Sequence, residues 1–114
     1  MAYDTMTQQR ASINDEQDQK SWYYQETLTS PGNGKWILKP NGTDGIGVTL
    51  VISSGVGKVQ ATTDSIDNII ADTATAVDWD LGTVSGTNQD SCVQLTAVRQ
   101  VNISGTTIIK VVAQ

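Results

Sequence analysis

Histidine and phenylalanine are both absent from this 114-residue chain, and it holds a single cysteine, Cys92. Each absence removes a class of function. Without histidine the usual general base is missing, and so is the usual activator of a Ser or Cys nucleophile. Zinc centres of mixed Cys and His ligands cannot be assembled from one copy. One cysteine cannot close a disulfide within the chain, so no covalent staple offsets its small size, and Cys92 reads as a buried small hydrophobe. With no Phe, three Trp and three Tyr, the core must come from Val, Ile, Leu and Ala. No apolar run approaches the ~20 residues of a spanning helix, so no membrane partner is expected. The first twenty residues lack a basic start followed by an apolar stretch, so no signal peptide is expected either. Cations are scarce: seven Lys and Arg stand against twelve Asp and Glu, for a net charge of −5. A nucleic-acid binder needs a basic stripe, so no nucleic-acid partner is expected.

What is present is Thr, Ser, Asn, Gln and Gly, alongside 38% hydrophobic and 17% charged residues. That mixture fits one domain of short strands with polar outer faces. Strands are expected over Trp22–Leu28, Lys35–Lys39, Val48–Ser53, Lys58–Thr63, Ala74–Trp79 and Thr83–Val84, separated by turns at Pro31–Gly34, Pro40–Gly45 and Ser54–Gly57. Asp64–Ala71 reads as one helical turn capped by Asp64 or Ser65, with Ile66, Ile69 and Ile70 on one side. The end of the sequence has the clearest pattern. Cys92–Ile103 and Thr107–Ala113 alternate in period two around Ser104-Gly105, the form of an antiparallel hairpin. Val101, Ile103, Ile109 and Val111 would share its buried face, or Val98, Ile108 and Val112 after a one-residue slip. The fold class that follows is all-β: a small antiparallel β-sandwich or jelly-roll-like domain over 22–114, preceded by a polar arm over 1–21, extended or short-helical. Such an arm has no apolar period of its own. It is expected to grip a neighbouring chain, and a helix folded back on its own domain is the alternative.

Motif by motif, chemistry fails to appear. Gly57-Lys58 and Gly34-Lys35 end like phosphate-binding loops, but Ile52 and Thr29 stand where the first Gly belongs, and Val59 and Trp36 where Ser or Thr belongs. Asn41–Gly45 resembles a calcium loop whose twelfth position is Ile52 instead of an acid. Asp78 and Asp80 flank Trp79 and would point the same way in an extended segment. They read as solvated strand-end charges, with calcium binding or paired-carboxylate catalysis as sharper alternatives. No Lys or Arg interrupts Asp64, Asp67, Asp72, Asp78, Asp80 and Asp90 between Lys58 and Arg99. That run reads as solvated turns on one edge, or as an acidic rim facing a basic neighbour or a cation. No catalytic residue, metal ligand or cofactor is expected. Trp22, Tyr23, Tyr24 and Trp36 are the interface candidates, because aromatics gathered at the start of a fold anchor cores or subunit contacts. A stacking platform for a glycan is the alternative.

Two segments carry a resemblance. The first is Ala74–Val84, with Trp79 and Gly82, followed by Leu95-Thr96-Ala97-Val98-Arg99. The second is Ser104-Gly105-Thr106 through Val111-Val112-Ala113-Gln114. Together they resemble the C-terminal half of small virion-associated structural proteins of tailed bacteriophages, although Gln94-Leu95 stands where that pattern often has Pro. The resemblance implies a virion location after synthesis in the host bacterial cytoplasm. It also implies a capsid decoration (cement) role, or a tail, head–tail or fibre-attachment position. The major capsid protein or other virion proteins would be partners, beside copies of the chain itself in a homo-oligomer, most simply a trimer. Trp79 and Arg99 are expected to be structural. A carbohydrate- or receptor-binding β module is the reading from a different class.

Overall fold

A computed structural model describes residues 3–11, 19–80, 82–92 and 95–113. In chain order its elements are β1 (Tyr3–Thr5), β2 (Thr7–Ala11), β3 (Gln19–Leu28), β4 (Gly32–Asn33), β5 (Trp36–Leu38), β6 (Ile46–Thr62), helix α1 (Ile66–Ile70), β7 (Val77–Asp78), β8 (Asn88–Cys92) and β9 (Ala97–Ala113). The domain is all-β. Its frame is one ribbon: β6 and β9, each 17 residues long, pair antiparallel from Ile46↔Ala113 to Thr62↔Ala97.

This ribbon bends in the middle. The register skips Ser53 on one strand and Ile103 on the other, and between the two bulges Gly55 faces Gly105. Both glycines have positive φ, 76° and 75°. A side chain at either would collide with the opposite backbone: a Cβ would lie 2.1 Å from the Ser104 carbonyl oxygen at Gly55, and 2.3 Å from that of Ser54 at Gly105. The flanking serines lock the crossing reciprocally. Ser54 Oγ accepts from the Thr106 N–H at 3.1 Å, and Ser104 Oγ accepts from the Val56 N–H at 3.2 Å.

Bulges insert one residue and so move the inward set to the opposite parity. Ile46, Val48 and Leu50 point inward before the bend in β6, Val59 after it; in β9 the inward residues are Val98, Gln100 and Asn102, then Thr107, Ile109, Val111 and Ala113. Each arm of the ribbon gathers its own neighbours. One half-sheet runs β8–β6–β9–β3–β2 and the other β7–β6–β9–β5–β1, with β4 also on β9. Their inner faces close on one core of Ile37, Ile46, Val48, Leu50, Val59, Val98, Ile109, Val111, Ala113 and Met6. Met6 alone links β1, at the margin of the second half-sheet, to β2, at the margin of the first, and its side chain is buried there. The expected arm therefore supplies two strands to its own domain's sheet.

Several expected elements are corrected. No hairpin forms at Ser104-Gly105, and Ser54–Gly57 is not a turn between two strands. Thr107–Ala113 pairs with β3 and β6, and not with Val98–Ile103. A Ser-Gly pair inside an alternating run signals chain reversal when read locally; here each glycine instead admits the backbone of the other across the ribbon. Neither expected buried face of the terminal strand is right throughout. Ile109 and Val111 are inward, but Ile103, the bulged residue, is 42% exposed; Val98 is inward, but Val112 is 55% exposed. The strand expected over Ala74–Trp79 shrinks to Val77–Asp78, and Thr83–Val84 to one bridge between Gly57 and Val84. The helical turn is present over Ile66–Ile70, with Ser65 as its cap, but of its three isoleucines only Ile69 is buried. The side chain of Cys92 lies outside the described residues.

Because the Gly55–Gly105 crossing leaves no room for a Cβ, Gly105→Ala should destabilise the domain by roughly 2–4 kcal/mol. Ser53→Ala, at the exposed bulge, should change stability by less than about 0.5 kcal/mol. Urea denaturation of the two variants beside wild type measures the contrast.

Candidate functional site

The side chains singled out by sequence divide between the outer faces of the two half-sheets and the main core. On the second half-sheet, adjacent strands bring Trp36, Arg99, Gln60 and Asp78 into one row, because Gln60 pairs with Arg99 on one side and with Asp78 on the other. The Arg99 guanidinium carbon lies 4.4 Å from the centre of the Trp36 ring. Arg99 Nε donates to Gln60 Oε1 at 2.9 Å, Gln60 Nε2 donates to Asp78 Oδ1 at 2.9 Å, and Lys58 Nζ donates to Asp78 Oδ2 at 3.1 Å. The row thus runs across four strands as ring, cation, amide, carboxylate and ammonium. Hydrogen bonds from Gln60 and then Lys58 hold the Asp78 carboxyl below its usual range. Burial pushes Arg99 down from its normal value against the opposing charge of Asp72, but a guanidinium remains protonated regardless.

Helix α1 covers the ring side of this row. Trp36, 1% exposed, packs with Ile69 and Ala97 in a second small core, joined by Tyr3, Leu38, Ala74 and Ala76. Trp36 therefore presents no free ring. The other aromatic candidates divide between faces because β3 alternates. Trp22 and Tyr24 are half-buried against the main core, whereas Tyr23 points outward and is 40% exposed. No coplanar platform arises from Trp22, Tyr23, Tyr24 and Trp36. Trp79 packs partly buried against the main core, its backbone N–H donating to the Val59 carbonyl at 2.9 Å.

The acidic run is dispersed. Asp64 accepts from the Thr75 N–H, Asp67 lies in the first turn of α1, Asp78 is engaged in the row, and Asp90 accepts from the Ser91 N–H at 2.8 Å. Asp78 and Asp80 do not converge with a further ligand: among the described residues no group of three acidic or Cys side chains is placed to hold a metal ion. A groove of about 360 Å³ runs beside them, floored by Ala61, Val77, Trp79 and Leu95.

Two polar features escaped the sequence. One is a buried row on β9. Gln100 Nε2 donates to the Glu26 carbonyl at 2.9 Å and to its side chain at 3.0 Å, Thr107 Oγ1 donates to Gln100 Oε1 at 2.9 Å, and Asn102 Nδ2 donates to the carbonyls of Leu28 and Gly105 at 3.1 and 2.8 Å. The other fastens the first strand. The Tyr24 hydroxyl donates to Asp4 Oδ2 at 2.8 Å, and the Thr5 N–H donates to Asp4 Oδ1 at 2.8 Å. These bonds, Tyr24's first, hold the Asp4 carboxyl below the usual carboxylate range, while burial and the same carboxylate push the Tyr24 phenol up. The signal for both was weak: a polar residue at an inward position is visible only once the bulges are placed.

No family model matches this sequence. No curated protein matches it either. Among solved structures, a chain of Bacillus endospore appendages, described as forming a novel family of disulfide-linked pili, matches at 12% identity and a TM-score of 0.45, covering 82% of this chain and 86% of that one. A likeness of that size carries no argument.

Arg99→Leu removes the stacking cation and a hydrogen bond, and should cost roughly 1–2 kcal/mol. Arg99→Lys should recover only part of it, because an ammonium cannot reproduce the planar stack. Chemical denaturation orders the three proteins. Asp4 sets an acid dependence. A carboxyl with a lowered folded pKa adds stability above its unfolded value of about 3.9, and that contribution fades as pH falls through the folded value. Melting followed from pH 7 down to pH 2 should show Asp4→Asn less stable than wild type at neutral pH, with the difference closing below about pH 4.

Proposed function

We propose that this protein is a structural component of a bacteriophage particle that works by association with copies of itself and with other virion proteins. The capsid decoration role is the first reading and a tail or head–tail accessory position the second. The observation that carries self-association is the state of the margins. Among the described residues β2 pairs only with β3 and β8 only with β6, so each leaves one row of backbone N–H and C=O groups without a strand partner. Unpaired margins of that kind are templates for another chain. The row from Trp36 to Asp78 supports the same reading, since its side chains are spent on one another across the sheet instead of converging on a substrate. The virion assignment rests on the resemblance of Ala74–Val84, Leu95–Arg99 and Ser104–Gln114, whose Ser-Gly-Thr step is here a ribbon bend. The carbohydrate-binding reading has one observation in its favour, the groove beside Trp79.

Mass spectrometry of purified phage particles should find this chain at a copy number comparable to other structural proteins, and sedimentation of the isolated protein should give a mass above the monomer's 12.2 kDa. Absence from the particles removes the virion assignment. A monomer at every concentration removes self-association.

A further inference from the structure

Glycine follows asparagine twice in this chain, at Asn33-Gly34 and at Asn41-Gly42. An asparagine in that setting can lose its side-chain amide without an enzyme. The backbone nitrogen of the next residue attacks the side-chain carbonyl carbon, and glycine, with no side chain of its own, leaves the approach open. Attack makes two demands. The nitrogen must give up its proton, and the backbone must turn until nitrogen and carbon meet. The fold treats the two pairs in opposite ways.

Asn33-Gly34 is fastened. Asn33 belongs to β4 and pairs with Val101 of β9. The Gly34 N–H donates to the Gln100 carbonyl at 2.8 Å, and the Lys35 N–H donates to Glu26 Oε2 at 3.1 Å. The attacking nitrogen therefore keeps its proton in a bond between strands, and Asn33 cannot turn without parting β4 from β9. Asn41-Gly42 is loose. It lies exposed between β5 and β6, with Gly42 at a φ of 81° and open space where a Cβ would stand. Among the described residues this turn is closed by the Thr43 hydroxyl, which donates to the Pro40 carbonyl at 2.7 Å, while the Gly42 N–H has no acceptor.

We propose that Asn41 is a site of spontaneous deamidation in the folded protein, and that Asn33 is protected from it. Hydroxide takes the Gly42 N–H proton, the nitrogen bonds to Asn41 Cγ, and the bond from Cγ to Nδ2 breaks, so that ammonia leaves with a proton from water. Water then opens the cyclic imide at one carbonyl or the other, leaving aspartate or isoaspartate. The net change is ammonia for water, with no oxidant and no cofactor. The product carries one more negative charge on a chain already at −5. Its place gives the change a consequence. Asn41 borders a groove of about 410 Å³ formed with Met6, Trp22, Leu38, Pro40 and Ile66, in which Lys39 is the one charged lining residue. Conversion sets a carboxylate on the rim beside that cation, so the groove presents a different charge as the protein ages.

The test incubates the full folded chain in mildly alkaline buffer beside a sample unfolded in urea, following intact mass and peptide maps over time. The unfolded chain should convert both pairs at similar rates. In the folded protein Asn41 should convert within about tenfold of its unfolded rate, whereas Asn33, reachable only when β4 opens, should be slowed roughly 100-fold or more. Asn41→Gln, at an exposed position, should fold like wild type and lose the early gain of one mass unit, because the longer side chain closes a less favoured ring. If folded protein converts Asn33 as fast as Asn41, keeps the Asn41 amide while the unfolded chain loses it, or still gains mass early as Asn41→Gln, the assignment fails.

Discussion

The fold depends on two backbones touching where no side chain can stand between them. At the crossing of Gly55 and Gly105 the β6–β9 ribbon changes direction, and everything else is attached to one arm of the ribbon or the other. Strands β3, β2 and β8 join the arm that ends at Ala113; β4, β5, β1 and β7 join the arm that begins at Ala97. The reciprocal Ser54 and Ser104 hydrogen bonds satisfy N–H groups that the bulges would otherwise leave without partners. One device thus produces both halves of the domain, and the core is what lies between them.

An interior of Val, Ile, Leu and Ala without phenylalanine also admits polar residues, provided each is bonded. Gln100 and Thr107 are fully buried near the bend, where they tie β9 to Glu26 on β3. Asn102 uses its amide hydrogens on two carbonyls but keeps Oδ1 without a partner among the described residues. Buried polar groups of this kind fix a register more firmly than aliphatic side chains can, because a slip by one residue would strand several of them at once. The outer row from Trp36 to Lys58 acts similarly on the opposite surface, where long polar side chains are held straight by one another.

Much of this architecture was legible in the sequence. The all-β class, the strands at Trp22–Leu28 and Lys35–Lys39 and the capped turn at Ser65 followed from β-branched alternation and capping chemistry. The misreadings share one cause. Two glycine-bearing runs, Ser54–Gly57 and Ser104-Gly105, read as local reversals, since local sequence contains the glycine but not the partner backbone that the glycine admits. Once those reversals are replaced by bulges, the inward parity of β6 and β9 follows, and with it the burial of Gln100 and the exposure of Val112. The interface candidates were legible as aromatics but not as a surface. Whether Trp36 faced solvent depended on α1 folding over it, a tertiary contact between Ile69 and the ring that no spacing announces.

The same ribbon sets the order in which the molecule can come into being. Ile46 has no partner on β9 until Ala113 has been synthesised, and even the nearest pair, Thr62 with Ala97, spans the helix, β7 and β8. Domains built on such distant pairings close their loops before any contact rewards them, and they fold slowly for that reason. On the ribosome, strands β1 to β6 must therefore wait with their aliphatic faces uncovered while the rest of the chain emerges. The hairpin of β2 and β3 is local and can form early, but it has nothing to dock on until β9 arrives. A nascent chain of this design is most exposed to misassembly in the interval before β9 has emerged to pair with β6.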